Sequence, residues 1–226
     1  MGGTSELVVD VVIVARNCAR ALDDTLTRLP RKGVRSVVVV DNGSSDATGQ
    51  VARDRGAIVL RAPKGGYGTG CLRAQRHLET LPNPPNVVVF IDPRGPEDPA
   101  ELGALLEPFR NDNAELVLAM DPAERARPAV TDRAMLGLIS VLYGHNFHEL
   151  SAFRAVRFSA LVALGLGDAR DAWNVEMQVK AVRLGLHIVE VPIARRLEKA
   201  GGLGDTRKGV SAGRKLLRIL RHATAR

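Results

Sequence analysis

Cysteine is scarce in this chain: only Cys18 and Cys71 occur. They lie far apart and outside any metal or redox spacing, which excludes a disulfide scaffold and a cysteine zinc site and suits a reducing, cytoplasmic compartment. Aromatic residues make up 4% of the chain, and no basic run interleaves with them, so no base-stacking platform and no nucleic-acid partner are expected. No stretch approaches the roughly 18 consecutive apolar residues of a membrane-spanning helix. The amino terminus lacks a basic leader, and Asp10 interrupts its apolar stretch, so a secretory signal is not expected. Glu6 stands where a myristoylation signal needs Ser or Thr. What the chain has in excess is positive charge, with 32 Lys and Arg against 25 Asp and Glu, net +7, and a pI near 10.0. That balance suits anionic partners such as nucleotides, phosphorylated lipids or a membrane surface. With 226 residues, 45% hydrophobic and 25% charged, the chain can bury the core of one globular α/β domain.

The hydrophobic pattern alternates between strand and helix. Leu7–Ala15, Val34–Val40, Ala57–Leu60, Val87–Ile91, Glu115–Met120 and His187–Val191 read as short strands buried on both faces, the mark of a parallel sheet. Arg20–Leu29, Ala47–Arg55, Cys71–Thr80, Glu101–Phe109, Arg133–Tyr143, Phe158–Leu164 and Val175–Leu184 read as helices between or after them. This βαβ rhythm predicts a three-layer α/β/α sandwich with a mostly parallel central sheet. A composition shift near residue 120 separates two halves of one domain, 1–120 and 121–226.

Candidate chemistry collects where strands end. Val37–Val40 breaks at once into Asp41-Asn42-Gly43-Ser44-Ser45-Asp46, which puts Asp41 at the carboxyl end of a parallel strand, where open α/β sheets bind ligands. Its carboxylate can accept from a nucleobase or a ribose, and Asp46 is placed to cap the next helix. A capped turn without a ligand is the plainer reading of the same residues. Lys64-Gly65-Gly66-Tyr67-Gly68-Thr69-Gly70, read as a glycine-rich turn before a helix, could cradle phosphate or merely connect; it lacks the ending of a P-loop. Val87–Ile91 ends at Asp92-Pro93-Arg94, a second carboxylate on the edge that carries Asp41. His145, His148 and Glu149 match no metalloprotease spacing. Val210–Arg226 is basic and amphipathic, fit either to dock on the domain or to lie on an anionic membrane surface.

Six segments in order, VVIVARN, VVVVDNGSSDAT, KGGYGTGCLRA, VVVFID, ELSAFRAVR and WNVEMQVKAVRLGLHIVEVPI, resemble the inverting family-2 glycosyltransferases of GT-A fold. Within that family the chain is similar to the dolichyl- or polyprenyl-phosphate mannose and glucose synthases, over about residues 8 to 220. The resemblance implies a nucleotide-sugar donor lined by Ala15, Arg16, Asn17, Asp41, Gly43, Asp46, Lys64, Gly65 and Gly70. Asp92 would be the first carboxylate of the motif that holds Mg²⁺ or Mn²⁺ on the donor diphosphate, and Glu149 the base that deprotonates the acceptor. Arg154 would join the catalytic group. Trp173, Glu176 and Arg196 would contact the acceptor, a lipid phosphate or a small molecule, with Trp173 either a sugar platform or a packing residue.

The chain departs from the family at the metal and the acceptor phosphate. The second carboxylate of the metal motif is Arg94, Cys18 replaces a glutamate, Asp121 stands where an arginine would meet phosphate, and residues 201–208 replace a Ser-Lys pair. One carboxylate plus Arg94 carries the same net charge as two carboxylates plus a divalent ion, so Arg94 or Lys64 could stabilise the leaving diphosphate without metal. Two readings follow: a glycosyltransferase in the cytoplasm or peripheral on the inner face of the membrane, acting on a lipid-phosphate or small-molecule acceptor, or a silent homologue that binds a nucleotide or a partner.

Overall fold

The computed structural model describes residues 7–62, 65–120, 130–148, 150–168, 170, 172–194 and 196. Among them run β1 (Val9–Ala15), α1 (Ala19–Arg28), β2 (Ser36–Asp41), α2 (Thr48–Asp54), β3 (Ile58–Arg61), α3 (Tyr67–Glu79), β4 (Val87–Ile91), a 3-10 turn (Pro99–Glu101), α4 (Leu102–Leu106), α5 (Pro108–Asn111), β5 (Leu116–Met120), α6 (Val130–Tyr143), β6 (Arg154–Arg157), α7 (Phe158–Ala163), α8 (Trp173–Arg183) and β7 (Ile188–Pro192).

Seven strands form one sheet in the order β3-β2-β1-β4-β6-β5-β7. All neighbours are parallel except at β6, which runs against both β4 and β5. The alternation of side chains along a strand explains why each run is apolar throughout. Val12 and Val14 face a layer that includes Cys71, Ala74 and Leu78 of α3 and Trp173 and Met177 of α8. Val11 and Ile13 face the opposite layer, with Leu22 and Leu26 of α1 and Leu102 and Leu105 of α4. Helices thus cover both faces, and the three-layer sandwich is the observed architecture.

Several boundaries differ from the sequence reading. The helix expected from Cys71 begins at Tyr67, so Tyr67–Gly70 forms its first turn instead of a loop. The span read as one helix at Glu101–Phe109 is a 3-10 turn and two short helices, since Pro108 has no N–H to continue α4. The strand β6 was not anticipated at all. α1 ends as expected: Leu29, next to Pro30, is extended (ψ 119), because proline disfavours helical geometry in the residue before it.

At the amino-terminal edge of the sheet, fully buried Asp10 accepts from the guanidinium of Arg35 (3.0 Å from Nε) and from Ser36 Oγ (2.8 Å). Arg35 also donates to the Asn83 carbonyl at 2.6 Å. This network locks β1, β2 and the turn before β4 together at the edge away from Asp41, a structural use of charge.

Candidate nucleotide-sugar site

The carboxyl ends of β1, β2 and β4 lie side by side, with Ala15 opposite Asp41 and Ile13 opposite Ile91. Their three loops are sewn into one surface, and Asn17 is the central stitch. Its backbone takes the left-handed conformation (φ 47), which asparagine tolerates better than other residues with a Cβ. Asn17 N donates to Ser44 Oγ at 3.1 Å, and Asn17 Oδ1 accepts from Ser45 N at 2.8 Å. From the other side, Arg94 Nη2 donates to the carbonyls of Arg16 (2.9 Å) and Asn17 (2.6 Å).

Asp41, half-buried at the end of β2, accepts from Ser44 N at 2.9 Å through Oδ1. Its Oδ2 lies against Gly49, where a Cβ would come within 2.9 Å. The neighbouring Gly43 turns the chain at φ 74. Asp46 sits one residue before the N-cap of α2, which is Ala47, so it does not occupy the cap position expected for it. Its carboxylate instead accepts from Thr48 N (3.0 Å) and Ala19 N (3.2 Å), and the Thr48 hydroxyl bond is the main cause that lowers its pKa. Thr48 Oγ1 in turn accepts from Cys18 N at 2.9 Å, joining the starts of α1 and α2.

Sequence reading missed Asn42. This buried amide (3% exposed) donates to the carbonyls of Gly65 (3.0 Å) and Gly66 (3.1 Å) and accepts from Gly65 N at 3.2 Å. It fixes the glycine pair that enters α3 beside the strand ends. The signal was available: an amide directly after a buried strand, where every polar atom needs a partner. Gly70, expected to flank the nucleotide, is instead buried inside α3. A Cβ there would lie 2.4 Å from Val14 Cγ1, so its smallness lets the helix approach β1. Lys64 lies outside the described residues.

The Asp92 segment forms a turn closed by Gly95 N to Asp92 O at 2.9 Å, while Asp92 Oδ1 accepts from Arg94 N at 2.9 Å. Glu97, 6% exposed, accepts from Ser151 Oγ at 2.7 Å. Asp98 is bound by Arg28 and accepts from Ala100 N at 3.0 Å.

Of the residues assigned to catalysis and acceptor in the second half, Arg154, Trp173 and Glu176 are buried. Arg154 is fully buried in β6, and its guanidinium donates to the carbonyls of Ser151 and Asn174. Trp173 is fully buried, with its ring 4.8 Å from Phe90 and 6.2 Å from Tyr67, centroid to centroid. A sugar has no indole face to stack on, which corrects that expectation in favour of packing. Glu176, 1% exposed, accepts from Gly167 N (3.3 Å) and Asp168 N (2.7 Å) and pairs with Lys180. Arg196 braces the other side of the site: it donates to the carbonyls of Glu97 (2.8 Å) and Pro93 (3.4 Å) and pairs with Asp24. Glu149 and residues 197–226 lie outside the described residues. Its neighbours are held by separate anchors, since His148 N donates to Glu190 Oε1 at 3.0 Å and Ser151 binds Glu97 as above.

A cradle of this shape at the carboxyl ends of parallel strands, lined by Asp41, Asn17 and Arg94, suits a nucleotide. Residues 10–161 match the family model described as glycosyl transferase family 2. The chain belongs to this family. It is 33% identical over 201 residues to an undecaprenyl-phosphate mannosyltransferase of Micrococcus luteus, covering 80% of this chain and 81% of that protein. It is 29% identical over 196 residues to an uncharacterised glycosyltransferase of Mycobacterium tuberculosis, covering 82% and 84% respectively. The fold superposes on glucosyl-3-phosphoglycerate synthase from Mycobacterium tuberculosis with a TM-score of 0.76 at 21% identity, covering 96% of this chain and 80% of that one. The protein is a family-2 glycosyltransferase with the GT-A architecture, and no described helix is long and apolar enough to cross a membrane.

Structures of that synthase hold Mn²⁺ with UDP or UDP-glucose, so a divalent ion is the group to test for fit. Among the described residues no cluster of three or more His, Cys, Asp or Glu side chains could hold one. The turn after β4 offers Asp92 and the cation Arg94, with Glu97 bound to Ser151 and Asp98 to Arg28. Hard oxygen ligands are what Mg²⁺ and Mn²⁺ need, and this donor set does not fit a resident ion.

Proposed function

We propose that this glycosyltransferase moves a sugar from a nucleoside-diphosphate sugar to polyprenyl phosphate, with inversion at the anomeric carbon. The observation that carries the reading is the three-loop cradle, in which Asn17, Asp41 and Asn42 preorganise the loops after β1 and β2 and the entry to α3 around one strand-end surface. Asp41 would accept from base or ribose, and the Arg16–Asn17 backbone and Gly65 would line the nucleotide. The acceptor oxygen attacks the anomeric carbon, the new C–O bond forms as the bond to the diphosphate breaks, and the nucleoside diphosphate leaves. A phosphate acceptor is already ionised, so Glu149 would orient it; a hydroxyl acceptor would need Glu149 to take its proton. The Micrococcus luteus relative, acting by its name on undecaprenyl phosphate, supports the lipid acceptor. The synthase neighbours, solved with phosphoglyceric acid, support a small phosphorylated molecule as the second acceptor reading.

The test incubates purified protein with UDP-, GDP- and dTDP-sugars and either undecaprenyl phosphate in detergent or small phosphorylated acceptors. The expected product is a glycosyl phospholipid whose anomeric configuration is opposite to the donor's. Glu149→Gln should leave turnover with the lipid phosphate within about tenfold, but lower turnover with a hydroxyl acceptor by about 10²–10⁴. Turnover with a small acceptor alone moves the assignment to the second reading. Donor binding without transfer to either class leaves a silent nucleotide-binding homologue.

A further inference from the structure

We infer that the glycosyltransferase holds the diphosphate of its donor without a divalent ion, with the Arg94 guanidinium as the fixed counter-charge. The inference rests on the nucleotide-sugar reading above and specifies how that site meets the donor's charge. Arg94 stands in the turn that follows β4, the strand next to β1 in the sheet. Its Nη2 reaches across to the carbonyls of Arg16 and Asn17, and its own backbone N–H is bound to the Asp92 carboxylate. The guanidinium is therefore held in one place before any ligand arrives. Among the described residues no hydrogen-bond partner is recorded for Nε or Nη1, and together these nitrogens carry three N–H donors. With Nη2 committed to the two carbonyls, these donors remain for single charge-assisted contacts to phosphate oxygens.

The same geometry disfavours a metal. A dication bound at Asp92 would share its turn with the guanidinium of Arg94, which cannot lose its proton. The other two acids of the turn are unavailable, because Glu97 is buried against Ser151 and Asp98 against Arg28. Without an ion the Asp92 and Arg94 side chains already sum to zero, and the attraction for the diphosphate comes from the N–H donors of Arg94 that the protein does not use. Fixing Asn17 in its left-handed conformation is the second part of the arrangement, since the Arg94 bonds to residues 16 and 17 shape the loop that would line the nucleotide.

Calorimetric titration with UDP, GDP and dTDP, each in EDTA and in millimolar MnCl₂, tests the inference. At least one diphosphate should bind the wild-type protein, with affinities in the two media that agree within about twofold. Arg94→Ala should weaken that diphosphate by about ten- to a hundredfold, the worth of a charge-assisted contact, and the parent nucleoside by much less. Arg94→Lys, which retains the charge but not the guanidinium's fixed donors, should fall between wild type and Arg94→Ala, and a melting curve for each variant verifies folding. Wild-type binding at least tenfold tighter with Mn²⁺ overturns the inference and leaves the nucleotide-sugar reading intact. An equal loss for nucleoside and diphosphate in Arg94→Ala also overturns it, because Arg94 would then only brace the loop. Failure of all three diphosphates in both media overturns the inference together with the nucleotide-sugar reading.

Discussion

The Asp41 carboxylate has one oxygen committed to the protein, since Oδ1 accepts from Ser44 N at 2.9 Å. Its Oδ2, packed beside Gly49, accepts no hydrogen bond from the described residues and can accept from a ribose hydroxyl or a base N–H. Asp41→Ala should therefore lower nucleotide affinity by about ten- to a hundredfold, or about 1.5–3 kcal/mol. Asp41→Asn should lose a similar amount, although it can keep the Ser44 contact, because the outer oxygen becomes a donor. Unchanged affinity in calorimetry for both variants would remove Asp41 from the site. The position of Asp41 was legible in the sequence because a buried β-branched run that stops at a carboxylate fixes its place at the strand end. Trp173, Arg154 and Glu176 were not, since each is a polar or amphipathic side chain whose partners are set by tertiary packing. Arg154 lies between apolar neighbours in sequence, and its guanidinium donates to the backbone carbonyls of nearby Ser151 and distant Asn174. Nothing local to it distinguishes a buried brace from an exposed ligand group.

At the scale of elements, α3 shows how packing can override propensity. Gly65, Gly66, Gly68 and Gly70 each disfavour helix by about 1 kcal/mol relative to alanine, and that composition reads as a loop up to Cys71. The chain nevertheless turns helical at Tyr67, because Asn42 holds the two preceding glycines and Gly70 lets the helix lie directly on β1. Gly70→Ala sets two effects against each other. The helix gains up to about 1 kcal/mol of propensity, while a methyl 2.4 Å from Val14 Cγ1 forces displacement that costs about 1–3 kcal/mol. Net destabilisation is expected in urea denaturation, and Val14→Ala, which removes the clashing methyls, should abolish it. Destabilisation by Gly70→Ala that persists in the Val14→Ala background would mean that the clash is not the cause. The strand β6 escaped the sequence reading for a different reason. Arg154-Ala155-Val156-Arg157 is short and charged at both ends, and only pairing with β4 and β5 makes it a strand.

The whole molecule places its candidate ligand groups on one edge of the sheet and carries a net charge of +7. The strand order and the reversal at β6 could not be read from periodicity, which reports which faces are buried but not which strands are neighbours. The parallel βαβ half was legible, and that is why Asp41 and Asp92 could be assigned to the same edge before the fold was known. The overall charge bears on how a protein with no described membrane-spanning helix would meet a polyprenyl phosphate embedded in a bilayer. Val210–Arg226 lies outside the described residues; read as a helix, its sequence would set Leu216, Leu217, Ile219 and Leu220 against Arg214, Lys215, Arg218 and Arg221. Each basic residue near an anionic surface contributes about 1 kcal/mol, and the apolar face adds burial that salt does not screen. The protein should therefore sediment with phosphatidylglycerol vesicles at low salt and much less with phosphatidylcholine. Raising the salt should weaken the binding as the Debye length shortens. Deleting residues 210–226 should reduce the bound fraction by roughly tenfold or more, with soluble-donor binding unchanged. Equal sedimentation with neutral and anionic vesicles, or full retention after the deletion, would show that this segment docks on the protein and that the lipid acceptor is reached another way.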